Sequence, residues 1–342
     1  MRELTYSQAL NEALTQTMEE DSSVFVIGLG VDYPNGIFGS TAELVSLFGK
    51  ERVFDVPLSE EALTGICLGS ALNGKRPVLV HARADFMLVS MSQIVNHLAQ
   101  WKYLYGKSTP VVIRSVIGRG RGQGAQHSQS PQSLFAHIPG LRVVMPSNAY
   151  QAKGCLISAI KGEDPVIFIE HRGLYGEKCF VPEEIYRLDL NKAVLARGGK
   201  DVTIVSFSFM VKEALLAAEI LSGKGVEAEV IDLCSLRPID AETVCQSVKK
   251  TGRLIVADTG WKNCSISAEV AAIVSENIAS SLRANIVRIN LPEHQTPTSP
   301  VLENDYYPGS EEIVSSALRL AGLECETPSK KTPSNNLFEG SF

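Results

Sequence analysis

The chain has 342 residues, which is enough for about two domains with well-buried cores. Its 32 Lys and Arg residues stand against 38 Asp and Glu residues, and the net charge of −6 lacks the basic excess typical of nucleic-acid-binding proteins. No apolar run reaches the roughly 20 residues of a transmembrane helix, and no apolar leader precedes the first helical pattern, so we expect a cytoplasmic protein.

The seven cysteines are scattered along the chain and never form a C-x-x-C pair. Their odd number and irregular spacing are typical of reduced core thiols. The sequence therefore predicts neither a zinc site nor a disulfide framework.

The first half of the chain alternates helical and strand patterns. The strand patterns are short, apolar and unbroken, which is typical of a parallel sheet with both faces covered. The predicted helices are 6–20, 59–73, 86–104 and 149–161, and the predicted strands are 24–27, 77–80, 110–116, 141–145 and 165–169.

A second alternating series follows a break that is rich in Pro, Gly and charged residues. Its predicted strands are 202–207, 226–233, 253–257 and 286–289, and its predicted helices are 211–222, 241–250, 265–278 and 308–322. The sequence therefore predicts an α/β protein with two three-layer α/β/α domains, at 1–185 and 201–323, joined by a linker at 186–200. The polar segment 324–342 is predicted to be a disordered tail.

An acidic segment, Asp-Val-Pro-Leu-Ser-Glu-Glu at 55–61, runs into the second predicted helix. Ser59 and acidic residues suit the start of any helix, because a hydroxyl caps the first N–H groups and carboxylates complement the helix dipole. The helix itself is apolar on nearly all sides, which predicts burial. A buried carboxyl group has a raised pKa and can exchange protons. The pattern does not decide whether Glu60 or Glu61 faces inward.

A glycine-rich loop follows the predicted strand at 110–116 and contains Arg119, Arg121 and His127. Four alternate glycines allow positive φ angles and a close approach of the backbone to a ligand. The spacing matches neither a dinucleotide-binding loop nor a Walker loop. Such a loop is typical of a solvated surface, but ligands of open α/β sheets also bind at the carboxyl ends of strands.

Phe86 begins the third predicted helix. A phenylalanine there is typical of a core residue, although its ring could also lie against a flat heteroaromatic group. The chain has no GDG motif followed by a distant Asn, and no Walker loop, H-E-x-x-H or G-x-S-x-G motif. If the protein uses a phosphorylated cofactor, another chain must hold the phosphates.

Together these segments resemble the beta subunits of heterotetrameric 2-oxo acid dehydrogenases, which act on pyruvate or branched-chain 2-oxo acids. The similarity extends to about residue 322, and its most specific stretches are 55–60, 93–96 and 125–130, with 137–146 and 229–238 adding weight. The resemblance implies a transketolase-type pyrimidine-binding domain followed by a transketolase C-terminal-type domain.

The resemblance implies thiamin diphosphate as the cofactor, with its aminopyrimidine bound by this chain and its magnesium and diphosphate held by an alpha subunit. Glu60 would be the catalytic carboxylate that activates the cofactor. Phe86 would stack on the pyrimidine, and Leu58 would lie in the same wall. His127 would face the substrate and assist acyl transfer to lipoamide.

Further partners and a metal site follow from the same resemblance. We expect an alpha2-beta2 heterotetramer with a beta–beta contact through the second domain, and a contact with a lipoyl acyltransferase core. A structural potassium site, made largely of backbone carbonyls, would involve Val111, Ala159, Gly162 and Asp164.

Two alternatives remain open at this point. The chain departs from the family pattern at 81–83, 258–261 and 297–300, and Arg119 and Arg121 could bind a sugar phosphate, as in a split transketolase-like enzyme with an aldehyde acceptor. The chain could also be a non-catalytic interaction subunit, although Glu60, Phe86 and His127 are all present.

Overall fold

The structure, a computed structural model, describes residues 2–119 and 122–324. The described residues form two compact units, the first with residues 2–118 and 126–190 and the second with residues 119, 122–125 and 191–324. The division after Leu190 falls inside the predicted linker, and residues 119 and 122–125 of the glycine-rich loop group with the second unit. Arg121 and the predicted tail from 325 onward lie outside the described residues.

The first unit contains eight of the described strands and seven of the described helices. The strands are β1 (Glu3–Thr5), β2 (Val24–Gly28), β3 (Val53–Phe54), β4 (Arg76–His81), β5 (Val112–Ile117), β6 (Arg142–Val144), β7 (Val166–His171) and β8 (Lys178–Phe180). The helices are α1 (Tyr6–Glu20), α2 (Leu44–Phe48), α3 (Glu60–Leu72), α4 (Ala84–Met87), α5 (Ala99–Tyr105), α6 (Gln132–Ala136) and α7 (Ala149–Ile160).

Six of these strands form a parallel sheet in the order β6-β7-β5-β4-β2-β3. All six residues of β5 and of β7 are buried, so both faces of the sheet are covered. The strands β1 and β8 form a separate antiparallel pair. This architecture confirms the α/β prediction for the first domain.

The second unit repeats the α/β pattern on a smaller scale. Its strands are β9 (Val194–Arg197), β10 (Val202–Ser206), β11 (Ala228–Asp232), β12 (Ser235–Arg237), β13 (Leu254–Trp261) and β14 (Val287–Leu291), and its helices are α8 (Phe209–Ser222), α9 (Ala241–Thr251), α10 (Ile266–Ile278), α11 (Pro300–Tyr306) and α12 (Ser310–Leu320). Five strands form a sheet in the order β14-β13-β10-β11-β9, in which β9 alone is antiparallel to its neighbour.

The first helix shows why the sequence pattern predicted its bounds well. Thr5 Oγ1 accepts a hydrogen bond from the Gln8 backbone N–H (3.2 Å), and the Gln8 side chain accepts one from the Thr5 N–H (2.9 Å), which closes a capping box. Apolar residues then recur at helical spacing, and those that are buried include Tyr6, Leu10 and Leu14.

The single helix predicted at 86–104 is wrong as one element. The helix α4 ends at Met87, a 3₁₀ turn covers Leu88–Ser90, and a π-helical segment, Gln93–Leu98, leads into α5. Helical periodicity does not distinguish these related geometries. In the part of the chain that the structure describes, no helix is long and apolar enough to cross a membrane.

A buried ionic network joins the central strands to the segment before α2. Arg114 Nε donates to Glu170 Oε1 (2.6 Å), and Arg114 Nη2 donates to Ser40 Oγ (2.9 Å). The Tyr175 hydroxyl donates to Glu170 Oε2 (2.5 Å). Arg114 and Glu170 are each only 1% exposed, so the pairing offsets part of the cost of burying both charges.

Lys153 is a fully buried lysine that holds the segment after β8 against α7. Its Nζ donates to the carbonyl oxygens of Pro182 (2.7 Å), Glu183 (3.1 Å) and Glu184 (3.0 Å), and it pairs with Glu12 Oε1 (2.6 Å). Four acceptors around one ammonium group satisfy its charge and all of its donors.

We expect Lys153→Met to lower the free energy of unfolding by about 3 kcal/mol, because it leaves buried acceptors without a donor. The matched control is Lys161→Met, since Lys161 pairs with Glu20 at the surface, where an ion pair contributes about 0–1 kcal/mol. Urea unfolding of the two variants measures the difference. Equal losses would contradict a structural role for the buried ammonium group.

Candidate functional site

The strand order of the first sheet reverses at β2. The chain runs from β2 to its neighbour β3 on one side and then crosses back to β4 on the other side. In open α/β sheets, ligands bind at the carboxyl ends of the strands where such a reversal occurs. The segments that follow β2, β3 and β4 therefore define the candidate site.

Glycine is required at the end of β2. A Cβ atom on Gly28 would lie 2.3 Å from the Val80 carbonyl oxygen, so no other residue fits without a backbone shift. Just beyond, the Gly30 N–H donates to Asp55 Oδ1 (2.7 Å), which also accepts the Val56 N–H (2.8 Å). The Asp55 carboxylate thus ties the segment after β2 to the segment after β3.

Glu60 is the first residue of α3 and stands directly after the segment that follows β3. Its side chain is partly buried, whereas that of Glu61 is exposed, which favours Glu60 as the inward acid. Ser59 occupies the predicted N-cap position, but its hydroxyl forms no capping hydrogen bond. The Glu60 carboxylate forms no hydrogen bond or ion pair with the described part of the chain.

The structure brings two other predicted residues into direct contact. The Phe86 and His127 rings meet edge to face, with centroids 5.3 Å apart and an interplanar angle of 88°. The Gln129 N–H donates to Asp85 Oδ1 (3.2 Å), which holds the His127 segment beside the start of α4. Burial raises the pKa of the Asp85 carboxyl group above its usual range, although the hydrogen bonds from Gln129 oppose this shift.

Two buried polar residues beside this pair were not predicted as site residues. His81 ends β4 and is paired in register with Ser115 of β5, so both side chains point to one face of the sheet. Arg114, one residue earlier in β5, points to the other face. His81 Nε2 and Ser115 Oγ are buried without a hydrogen-bond partner among the described residues. Burial lowers the pKa of His81 to about 4.

The unusual polarity of 81–83 was the only sequence signal for the unpaired polar atoms of His81 and Ser115. Periodicity predicts that a strand residue is buried, but not whether its polar atoms find partners.

Two residues of the glycine-rich loop, Arg119 and Gly124, make contacts within the second unit. The Arg119 guanidinium lies over the Tyr307 ring, 4.8 Å from its centroid, and its Nη1 reaches Asn304 Oδ1 at 3.5 Å. A Cβ atom on Gly124 would lie 2.5 Å from Thr298 Cγ2, so this glycine permits close packing of the chain on itself. These contacts explain Arg119 and Gly124 without a bound phosphate.

The four residues predicted for a potassium site lie elsewhere in the first unit. Val111 precedes β5, and Ala159, Gly162 and Asp164 lie around the connection from α7 to β7. This is the amino-terminal edge of the sheet, opposite to Glu60, Phe86 and His127. Within the residues that the structure describes, no group of three or more His, Cys, Asp or Glu side chains is arranged to hold a metal ion.

We expect His81→Phe to make the protein more resistant to acid. The pKa of His81 is about 4 in the folded protein and about 6.5 in the unfolded chain, which therefore binds the proton more readily. As the pH falls between these values, His81 lowers the free energy of unfolding by up to about 3 kcal/mol. Urea unfolding at pH 7 and at pH 4.5 measures this loss for wild type and variant. An unchanged acid-dependent loss would contradict the buried, neutral state of His81.

Comparison with known proteins identifies both units. Residues 2–178 match the transketolase pyrimidine-binding domain, and residues 191–313 match the transketolase C-terminal domain. A solved structure described as a split gene transketolase, inactive beta4 tetramer, has the same fold with a TM-score of 0.78, at 24% identity, over 94% of this chain and 99% of that chain.

Two relatives show the family. The chain is 42% identical to the acetoin:2,6-dichlorophenolindophenol oxidoreductase subunit beta of Cupriavidus necator, over 92% of this chain and 97% of that protein. It is 38% identical to the pyruvate dehydrogenase E1 component subunit beta of Bacillus subtilis, over 94% of this chain and 99% of that protein. The chain therefore belongs to the transketolase-type family of dehydrogenase and oxidoreductase beta subunits.

Proposed function

We propose that this chain is the beta subunit of a thiamin-diphosphate-dependent dehydrogenase and supplies the pyrimidine-binding half of a shared active site. One observation carries the proposal. Glu60 follows β3 and Phe86 follows β4, the two neighbours of β2 where the strand order reverses, and His127 contacts Phe86. A carboxylate, an aromatic face and an imidazole at that point suit a flat, nitrogen-rich ring.

The chemistry of these side chains fits the aminopyrimidine end of the cofactor. The Glu60 carboxylate has no partner in the described chain, so it is free to bond a ring nitrogen. The Phe86 ring, which lies nearly perpendicular to the His127 ring, supplies an aromatic surface for stacking. Leu58, at 73% exposure, is available to complete the wall when a ligand and a partner chain are present. Diphosphate and magnesium belong, in this proposal, to the alpha subunit.

Each residue then has a defined role. Thiamin diphosphate, when bound, would supply a nucleophilic carbon centre and an electron sink. Glu60 holds a proton at a pyrimidine nitrogen and so favours the reactive tautomer of the amino group. Phe86 and Leu58 orient the ring. His127 moves a proton at the substrate side and orients the group to be transferred.

An uncovered apolar face supports an alpha subunit as the partner. The sequence pattern predicted that α3 is buried on all sides, but Ile66 of α3 is 53% exposed. Leu58 and Val89, at 73% and 60%, are exposed in the segments next to it. Both relatives are named as beta subunits. We propose an alpha2-beta2 assembly in which the alpha subunit covers this face and the beta subunits contact each other through the second unit. We further propose a lipoyl acyltransferase core as a partner and a cytoplasmic location.

The substrate we propose is a 2-oxo acid of the pyruvate or branched-chain type, decarboxylated oxidatively with acyl transfer to lipoamide. Acetoin is the second candidate, because the acetoin oxidoreductase relative is 42% identical and the pyruvate dehydrogenase relative 38% identical. Acetoin carries an uncharged hydroxyalkyl group where pyruvate has a carboxylate. Of the two arginines in the sugar-phosphate alternative, Arg119 lies on Tyr307, and Arg121 lies outside the described residues.

We expect Glu60→Gln to lower turnover of the reconstituted complex by roughly 10²–10⁴-fold, because the amide keeps the size of the side chain but cannot exchange the proton. Glu61→Gln is the matched control, one residue away and exposed, and should leave turnover unchanged. Steady-state kinetics gives turnover, and thermal unfolding shows whether both variants remain folded.

Full activity of a folded Glu60→Gln complex would overturn the assignment of Glu60 and would favour a non-catalytic role for this chain. Equal loss in the Glu61→Gln control would indicate that the helix start, and not one carboxylate, matters.

A further inference from the structure

The connection from α7 to β7, residues 160–164, is enclosed by cationic side chains. It lies at the amino-terminal edge of the first sheet, where the family resemblance implies a potassium ion held by backbone carbonyls. Backbone carbonyl oxygens bind potassium by replacing its hydration shell, so they must converge on one empty position. The contacts of this segment decide whether such a position exists.

Arg76 binds the carbonyl of Gly162, a predicted ligand, and that of Ile160, which is not one. Its Nη1 donates to the Gly162 carbonyl oxygen (2.6 Å) and to the Ile160 carbonyl oxygen (3.0 Å). The same guanidinium donates from Nη2 to Glu163 Oε1 (2.5 Å), and its Nε lies 3.8 Å from Asp21 Oδ2. These contacts on several sides fix the position of the planar Arg76 guanidinium.

Asp164 is neutralised by two further cations. Lys102 Nζ donates to its Oδ1 (2.7 Å), and Arg142 Nε donates to its Oδ2 (3.0 Å). Burial raises the pKa of the Asp164 carboxyl group, but the hydrogen bonds from Lys102 and Arg142 outweigh burial and hold that pKa below its usual range. The carboxylate thus has both oxygens engaged by positive groups of the chain.

The remaining predicted ligands are engaged in backbone hydrogen bonds. The Val111 carbonyl oxygen accepts the Val166 N–H (2.9 Å), and the Ala159 carbonyl oxygen accepts the Gly162 N–H (3.2 Å). A carbonyl oxygen can accept a second partner, so these bonds alone do not exclude an ion. The guanidinium on the Gly162 oxygen does count against it, because an ion bound to that predicted ligand would lie beside a fixed positive charge.

We infer that this chain does not bind a structural potassium ion at the segment 160–164 and that Arg76, Lys102 and Arg142 perform the ion's structural task. The residues named for the ion do not fit it in this protein. Arg76 of β4, Lys102 of α5 and Arg142 of β6 supply the positive charge that the segment needs. Their hydrogen bonds hold the three elements against the connection between α7 and β7. The inference is independent of the proposed catalytic role.

The test is thermal unfolding of the full chain at constant ionic strength, in potassium chloride and in choline chloride. A bound ion stabilises the folded state by mass action, so a real site would raise the midpoint as potassium increases. We expect the wild-type midpoint to differ by no more than about 1 °C between the two salts. The variant Arg76→Gln should unfold at a lower temperature and should regain part of the loss in potassium but not in choline.

The control variant is Arg52→Gln. Arg52 donates to the backbone carbonyls of Met18, Asp21 and Val24 and not to those of 160–164, so its loss should lower the midpoint equally in both salts. A saturable rise of the wild-type midpoint with potassium would overturn the inference. So would a rubidium anomalous peak bonded to oxygens of the predicted ligands Val111, Ala159, Gly162 and Asp164 in crystals of the protein. If Arg76→Gln fails to fold, the wild-type titration and the rubidium experiment still decide.

Discussion

The reversal of strand order around β2 is the constraint on which the candidate site depends. It requires β4 to pack directly beside β2, and the 2.3 Å separation between a Cβ on Gly28 and the Val80 carbonyl oxygen shows how close that approach is. Because β2 lies between β3 and β4, the segments that follow all three strands open at one edge. Asp55 then joins two of these segments, and Glu60 and Phe86 stand at their ends.

The two edges of the first sheet are stabilised differently. At the amino-terminal edge, the cations Arg76, Lys102 and Arg142 close the connection between α7 and β7 with direct hydrogen bonds. At the carboxyl-terminal edge, Glu60, His81 and Ser115 keep polar atoms without partners in the described chain. Unpaired buried polar groups cost stability. Such atoms at the candidate site are typical of a surface completed by a ligand or another subunit.

Much of the architecture was accessible from the sequence, because helices such as α1 combine a capping box with a clear apolar stripe. The short strands β1, β3 and β8 were missed, since pairing with distant residues and not local pattern creates them. The helix predicted at 86–104 is interrupted by 3₁₀ and π geometry that shares its periodicity. The all-round apolar pattern of α3 was misread as burial within one chain.

The site was predictable to a lesser degree. Phe86 and His127 were selected through the family resemblance, and the structure brings their rings together. The role of Arg119 could not be read from its loop, because its partner Tyr307 is distant in sequence. His81 was visible only as an unexpected polar residue, and its lack of a partner depends on the packing around Ser115.

The most direct test of the account is turnover by this chain with and without its alpha subunit, in the presence of thiamin diphosphate, magnesium and an artificial electron acceptor. The panel of substrates contains pyruvate, branched-chain 2-oxo acids and acetoin. The account predicts that neither chain turns over substrate alone, that the two form a stable complex, and that the complex oxidises at least one member of the panel. Turnover by this chain alone, or a stable complex that is inactive on every substrate, would contradict the shared-site account.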